Sequence, residues 1–366
     1  MINNIKKEQC TGCKMCSDVC PVDAITYPLD KEGFWYPDVD YSKCIKCQNC
    51  IKSCPSLTKI DFKKNKPEVY SGWINNTDIR LKSTSGGMYY AMASYFINSG
   101  GYIVGSRYTG NYKGAKHIYS NTIEGLNQVM GSKYFQSDAK GIYLTVKKLL
   151  EEGKKVLFCG TPCQGGALQS FLKKDYNNLV IADFICRGVN SPMVFKSYME
   201  ELENEYNSEI EFVHLKNKKN GWTSLATLVK FKNGSEYYKD KNNDLWVKGF
   251  IKGNLYMRPS CHNCKYKELP RIADITIGDF WGIQGADSKD MFNGISVIMV
   301  NSEKGKSLIT SIKDSITLEE QSLESAIKGN PCILTSAQEG TERNRFFKLL
   351  EKYPFTTAVQ MCFTDK

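Results

Sequence analysis

Eight of the fifteen cysteines in this chain lie between positions 10 and 54, and their spacing repeats. Cys10-x2-Cys13-x2-Cys16-x3-Cys20-Pro21 returns as Cys44-x2-Cys47-x2-Cys50-x3-Cys54-Pro55. Three thiolates at this spacing wrap three corners of a [4Fe-4S] cubane, and the fourth crosses to the other cube. The pattern therefore assigns Cys10, Cys13, Cys16 and Cys54 to one cluster, and Cys44, Cys47, Cys50 and Cys20 to a second. Pro21 and Pro55 lack an amide hydrogen and fix the chain direction just after each crossing cysteine. Zinc is the other metal for clustered cysteines, but its sites take pairs of Cys-x2–4-Cys rather than four cysteines in each half. A unit of this kind moves electrons, so a donor, an acceptor or a substrate site is expected in the rest of the chain.

A second set of cysteines lies there: Cys159, Cys163, Cys186, Cys261 and Cys264. Cys261-x2-Cys264 has the spacing of half a metal site. Cys159 and Cys163 flank Thr161-Pro162 at a strand-to-helix turn, and helix N-termini stabilise thiolates. One reading is a third [4Fe-4S] cluster, with Cys163, Cys186, Cys261 and Cys264 as candidate ligands out of the five. Buried structural cysteines are the other reading, and for the isolated Cys332 and Cys362 it is the one adopted. No G-x-G-x-x-G fingerprint occurs, and Gly305-Lys306-Ser307 lacks the first glycine of a P-loop because Val300 stands there, so it reads as a surface turn. No Cys-x3-Cys-x2-Cys is present, which argues against radical chemistry with S-adenosylmethionine. His117, His214 and His262 show no metal spacing, and His262 reads as a solvated loop residue.

The elements that must position these groups follow from the pattern. Residues 1–60 are short-looped and cysteine-dense, and the lysine-rich stretch at 61–67 reads as a linker. Beyond it, strands alternate with helices. Ser85-Gly86-Gly87 opens a helix over Met88–Asn98, and Gly100-Gly101 ends it before a strand at Tyr102–Gly105. A helix at Thr145–Glu152 leads to the strand Lys155–Phe158, a helix near Gly165–Lys173 and the strand Leu179–Ile185. This alternation predicts an α/β core. Ser224–Phe231 alternates like a strand with one apolar face, and Asn233-Gly234 reads as a hairpin turn.

The length of 366 residues is enough for two or three domains with a sizeable core, and 41% hydrophobic with 24% charged residues excludes wholesale disorder. No apolar run reaches the roughly 18 residues of a membrane helix, and Met1–Lys7 lacks a secretory pattern. A cytoplasmic location and no membrane insertion are therefore expected, and fifteen cysteines then point to metal or redox chemistry rather than disulfides. The formal net charge is +10, yet only seven of the basic residues are Arg, which speaks against nucleic-acid recognition. Each cluster with four thiolates carries about −2, so two bring the total to about +6 and a third to about +4. The remaining basic surface suits an acidic protein partner.

Three segments carry a resemblance to a known family. Phe158-Cys159-Gly160-Thr161-Pro162-Cys163-Gln164, Asp183-Phe184-Ile185-Cys186-Arg187-Gly188 and Asp274-Ile275-Thr276-Ile277-Gly278-Asp279-Phe280-Trp281-Gly282 together resemble the beta subunit of coenzyme F420 hydrogenase/dehydrogenase. Thr84-Ser85-Gly86-Gly87 and Gly131-Ser132-Lys133-Tyr134-Phe135-Gln136-Ser137-Asp138 extend it, so the resemblance covers positions 68–330. The cysteine repeat resembles a bacterial-type dicluster ferredoxin domain. The resemblance implies an iron–sulfur flavoprotein, with FAD passing electrons between [4Fe-4S] clusters and a two-electron carrier. Archaeal members use coenzyme F420, and plant and cyanobacterial relatives reduce chlorophyll intermediates with electrons from ferredoxin. It further implies that the amides of Ser85, Gly86 and Gly87 receive a flavin phosphate. Lys133, Tyr134, Gln136 and Ser137 would contact the flavin, and the Thr161-Pro162 turn would approach its ring. One departure is Arg187, where the family often has histidine, so no proton donor is carried over to that position; Lys133 and Tyr134 are the candidates.

The expected fold class is α+β: a dicluster ferredoxin domain at 1–60, the linker at 61–67, and a mixed α/β flavin-binding region. The region's two parts are 68–150 and 151–330, the second with the candidate third cluster, and 331–366 is an extension. The expected function is an oxidoreductase with ferredoxin or another redox protein as one partner and a small-molecule two-electron substrate as the other. Nothing in the residues selects coenzyme F420 over another substrate. The alternatives are a non-catalytic electron-transfer subunit and an iron–sulfur sensor without flavin.

Overall fold

A computed structural model of the chain describes residues 1–59, 62–63 and 66–364. The cysteine repeat is also a structural repeat. Each run ends in a one-turn helix, Met15–Asp18 and Asn49–Lys52, entered through a left-handed residue, Lys14 (φ 63°) and Gln48 (φ 62°). Two positions earlier in each run Gly12 (φ 68°) and Lys46 (φ 56°) are left-handed as well, so the loops coil in the same sense around two equivalent points. The short strands β1 (Ile25–Thr26) and β2 (Asp38–Val39) pair antiparallel beside them. Ile2, Ile25 and Val39 close this segment's interior together with Cys16, Cys50 and Cys54.

Of the linker expected at 61–67, residues 61, 64 and 65 lie outside the described residues. Lys63 is anchored: its N–H donates to the Arg271 carbonyl at 2.9 Å and its ammonium pairs with Asp274 at 2.9 Å. The chain then forms β3 (Glu68–Ile74), β4 (Tyr102–Tyr108), β5 (Ala115–Ser120), β6 (Val156–Gly160) and β7 (Leu179–Phe184). After these come β8 (Ile210–Asn217), β9 (Ala226–Phe231), β10 (Glu236–Asp240), β11 (Ile275–Asp279), β12 (Ser296–Val300) and β13 (Ile316–Glu320). Eight strands share one sheet in the order β13-β3-β12-β11-β7-β6-β4-β5. Its centre, β11-β7-β6-β4, is parallel, and the outer pairings are antiparallel. Helices cover both faces, as buried parallel strands require. Met88–Asn98 and Ile123–Val129 pack on the face bearing Leu157, Ala182 and Ile275. Ile142–Glu151 and Pro162–Leu172 pack on the face bearing Val156, Phe158 and Ile181, and Met15 joins that layer. The cysteine-rich segment is therefore docked on the α/β body.

A second sheet, β10-β9-β8, packs with the helix Pro192–Tyr206 around Trp246, Tyr256 and Val229. Here the structure departs from the expectations. β9 is buried on both faces, from Ala226 at 2% exposure to Phe231 at 0%, because it is the central strand and its start lines a cavity described below. The residues expected as an extension supply two helices, Arg343–Leu350 and Phe355–Thr364, whose Phe346, Phe355 and Val359 belong to this core. Gly305-Lys306-Ser307 lies inside the helix Glu303–Ser311, not in a turn. A Cβ on Gly305 would stand 2.3 Å from the Asp274 carbonyl, so the glycine serves close helix–strand contact. No helix among the described residues is long and apolar enough to cross a membrane.

Candidate redox site

The thiols fall into three groups. In the first, burial pushes Cys13 up to about 12, and the charges of neighbouring Cys54 and Cys10 push the same way. Cys16 is raised by burial and by Cys13, Cys10 and Cys54. In the second, Cys20, Cys44, Cys47 and Cys50 line one small hollow with Val22, Ile25, Val39 and Ile45. In the third, Cys163 is raised by burial and by Cys264, Cys186 and Cys261. Burial likewise takes Cys186 up to about 12 and Cys261 up to about 11. Thiols held this high keep their protons until a metal displaces them. No three Cys, His, Asp or Glu side chains among the described residues converge at single-ion distance. Each group therefore frames a space wider than one ion, which suits a cluster better than zinc.

The third group is assembled from distant loops. Cys163 lies in the first turn of Pro162–Leu172, where the Thr161 N–H donates to Gln164 Oε1 at 2.9 Å, as in a capping box. Cys186 follows β7, and Cys261 and Cys264 flank His262 after a short 3-10 turn at Pro259–Cys261. The Val189 N–H donates to Cys261 Sγ at 3.4 Å. His262 is half-buried, its Nδ1 2.9 Å from the Ala337 carbonyl, rather than solvated. Cys159 stands apart from this group. Its thiol is pushed up to about 12 by burial and then by Asp183, with Lys133 opposing. Tyr266 bridges the first and third groups, because it is raised by burial and then by Cys163, Cys13, Cys264 and Cys54.

A cavity of about 780 Å³ opens at the carboxyl ends of the parallel strands, where open α/β sheets bind ligands. Its size is within the roughly 300–1,000 Å³ of cofactor sites. The β6 end contributes Cys159, Gly160 and Thr161, the β7 end Phe184 to Val189, and the β11 end Ile277, Gly278 and Asp279. Cys13, Cys163 and Cys186 also line it, so the first and third thiol groups share its wall. Six cations line it (Lys133, Arg187, Lys216, Lys241, Lys248 and Lys252) against one carboxylate, Asp279. That carboxylate already pairs with Lys216 and accepts from Trp222 Nε1 at 2.8 Å. Four lining residues, Tyr89, Ser106, His117 and Arg187, each carry a buried side-chain polar atom without a partner. A polar, anionic ligand such as a dinucleotide flavin fits a wall of this composition.

Lys133 is the most unusual group in the wall. Its ammonium donates to the carbonyls of Val129 (3.2 Å), Met130 (2.7 Å) and Gly131 (3.1 Å). Burial pushes its pKa down to about 7, with the Cys159 thiol opposing. Lys218 is held alike by the carbonyls of Arg80 (2.6 Å), Ser85 (2.7 Å) and Asn293 (2.5 Å), and burial takes it down to about 7.

Of the expected flavin residues, Ser85, Gly87, Lys133, Tyr134, Gln136, Ser137 and Thr161 line the cavity, whereas Gly86 and Pro162 do not. A Cβ on Gly86 would meet the Gly72 carbonyl at 2.4 Å, so Gly86 is pressed onto β3. Pro162 is buried as the first residue of its helix. Ser85 Oγ donates to the Ile295 carbonyl at 2.9 Å. Gln136 is turned to the cysteine loop: its Nε2 donates to the carbonyls of Thr11 (3.3 Å) and Gly12 (3.0 Å), and its Oε1 accepts from Arg258 at 2.8 Å. Sequence reasoning missed Arg258, Tyr266, Lys216 and Lys218. Asp279 and Trp281 stand inside a quoted segment without an assigned role.

Comparisons with known proteins agree with this layout. A family model for the C-terminal part of the coenzyme F420 hydrogenase/dehydrogenase beta subunit matches residues 153–326, and two 4Fe-4S dicluster models match residues 9–57 and 36–95. An uncharacterized ferredoxin of Methanocaldococcus jannaschii is 37% identical over 68 residues, 18% of this chain and 86% of that protein. NADH-quinone oxidoreductase subunit I of Pelobacter propionicus is 35% identical over 60 residues, 13% of this chain; the match spans 31% of that relative's length. A chain of a solved F420-reducing [NiFe] hydrogenase complex from Methanosarcina barkeri aligns at 16% identity and a TM-score of 0.48, over 82% of this chain and 91% of its own. The chain belongs to the coenzyme F420 hydrogenase/dehydrogenase beta-subunit family and carries a 4Fe-4S dicluster domain ahead of the family segment.

Proposed function

We propose that this chain is a cytoplasmic iron–sulfur flavoprotein oxidoreductase with three [4Fe-4S] clusters and FAD. Its ligand sets would be Cys10, Cys13, Cys16 and Cys54; Cys20, Cys44, Cys47 and Cys50; and Cys163, Cys186, Cys261 and Cys264. The observation that carries the reading is that the first and third thiol groups wall the same large, cation-lined cavity. Cys47 is exposed, whereas Cys10, Cys16 and Cys54 are buried. A ferredoxin or another one-electron protein would therefore meet the second group, with the first and third groups inward of it. FAD, when bound, supplies the exchange between one- and two-electron chemistry. Gly87, Lys133 and Thr161 would hold it at the strand ends, and the cationic wall would orient a small anionic two-electron substrate of the coenzyme F420 type. Lys133, poised near neutrality beside the cavity, would give or take the accompanying proton.

A second reading is an electron-transfer subunit without a substrate of its own. The family description as a beta subunit and the exposure of Cys47 favour it. Turnover separates the two. The purified chain, loaded with FAD and supplied with reduced viologen, reduces a deazaflavin or flavin acceptor under the first reading. Activity found only in a co-purified complex supports the second.

A further inference from the structure

Arg258 is wholly buried, at 0% exposure. Its Nε donates to the Cys10 carbonyl at 2.7 Å, its Nη1 to Gln136 Oε1 at 2.8 Å and its Nη2 to the Trp35 carbonyl at 3.0 Å. Its guanidinium carbon lies 4.3 Å from the Tyr36 ring centroid and 5.3 Å from that of Phe34. Every one of these acceptors is neutral, and no carboxylate forms an ion pair with it among the described residues. A buried guanidinium without an anion is strongly unfavourable. The counter-charge must therefore come from something else in contact. The geometry identifies where. A Cβ on Gly12, between Cys10 and Cys13, would stand 2.8 Å from Arg258 Nη1, so the charge lies directly on the loop of the first thiol group. Three residues on, Cys261 belongs to the third group.

We infer that Arg258 is the fixed counter-charge of the first cluster and sets its reduction potential, making it the electron-accepting relay between the exposed second cluster and the third. This rests on the ligand reading given above. Reduction adds one electron from the neighbouring carrier and takes the cluster with its thiolates from about −2 to about −3, with no proton taken up. A buried positive charge held by neutral dipoles favours the reduced side. Arg258 thus acts through the cluster as a positioning and tuning residue.

The test is EPR-monitored redox titration of the full anaerobic protein, with iron counted on the same samples. Arg258→Met is expected to keep its iron and to lower the reduction equilibrium constant of one cluster at least tenfold, which is 59 mV for one electron. The other two clusters should shift less. Gln136→Glu offers an independent route, because it places a carboxylate on Arg258 Nη1 and should lower the same cluster without removing the arginine. Arg258→Lys should stay near the wild-type potential. Clusters present in full with an unmoved potential in both Arg258→Met and Gln136→Glu would overturn the inference. If Arg258→Met fails to assemble, the Gln136→Glu titration alone decides. A Cys13→Ala protein that retains all its iron would overturn the ligand reading itself, and that outcome is distinct from the others.

Discussion

Lys133 gives the most quantitative prediction. Burial takes its pKa from the ordinary 10.5 down to about 7, while three carbonyls accept from its ammonium. At pH 8 a lysine of this kind is roughly 90% neutral, whereas an ordinary lysine is about 0.3% neutral, a ratio of roughly 300 in the reactive amine. Competitive labelling of the native protein with trace acetic anhydride, read peptide by peptide, measures this directly. Lys133 should titrate with a midpoint near pH 7, several units below exposed lysines such as Lys196. The sign for the bound state is also fixed. An anion in the cavity favours the ammonium form, so adding FAD should raise the midpoint and slow the labelling at pH 8. In turnover, a step that needs protonated Lys133 should fall about fivefold between pH 7 and pH 8, and Lys133→Arg should abolish that limb. A Lys133 midpoint near 10, or labelling that FAD leaves unchanged, would refute the reasoning.

Further outcomes follow from other parts of the structure. Cys186→Ala should lose about four irons of the total while Cys159→Ala loses none, measured by iron assay after anaerobic purification. Gly12→Ala places a Cβ 2.0 Å from Gln136 Nε2 at a φ of 68°. It should loosen the cysteine-rich segment from the body by at least about 1–3 kcal/mol of backbone strain, seen as faster proteolytic release of that segment. Arg343 binds both carboxylate oxygens of Glu32, at 2.8 and 2.5 Å, and joins the first segment to the C-terminal helices. Glu32→Ala leaves the buried guanidinium unpaired and should cost about 3–5 kcal/mol, visible as a lower thermal midpoint. Burial pushes His117 and His214 down to about 4. The unfolded chain then binds protons that the folded chain does not between about pH 6.5 and 4. Stability should therefore fall on acidification through that window, by comparison of unfolding midpoints at pH 7 and pH 5.

The cysteine repeat was legible because its chemistry is local: three ligands within one loop impose a spacing that nothing else needs. The alternating elements of the α/β core were legible for a similar reason, and the helix Met88–Asn98 has the bounds its sequence predicts. The third thiol group was only half legible, since its members come from separate loops and only Cys261-x2-Cys264 carries a spacing. Yet strand alternation held the answer for Cys159. Leu157 and Cys159 face the layer of Met88–Asn98, whereas Val156 and Phe158 face the layer of Pro162–Leu172, where Cys163 lies. Period two thus points Cys159 away from Cys163. Arg258, Lys216 and Lys218 gave no local signal at all, because their roles depend on partners scores of residues away. Gln136 and Gly86 show the limit of motif reasoning, since each lies in a motif segment yet is directed to packing against another part of the chain.

Iron quantitation, flavin extraction and a visible spectrum on one anaerobic preparation test the central claim most directly. Three clusters of four irons and one flavin site predict about twelve irons and one FAD per chain, with FAD taken up on reconstitution if it is lost in purification. About eight irons with no flavin bound even after reconstitution would contradict the account, leaving a dicluster electron carrier on a body whose cavity serves something else.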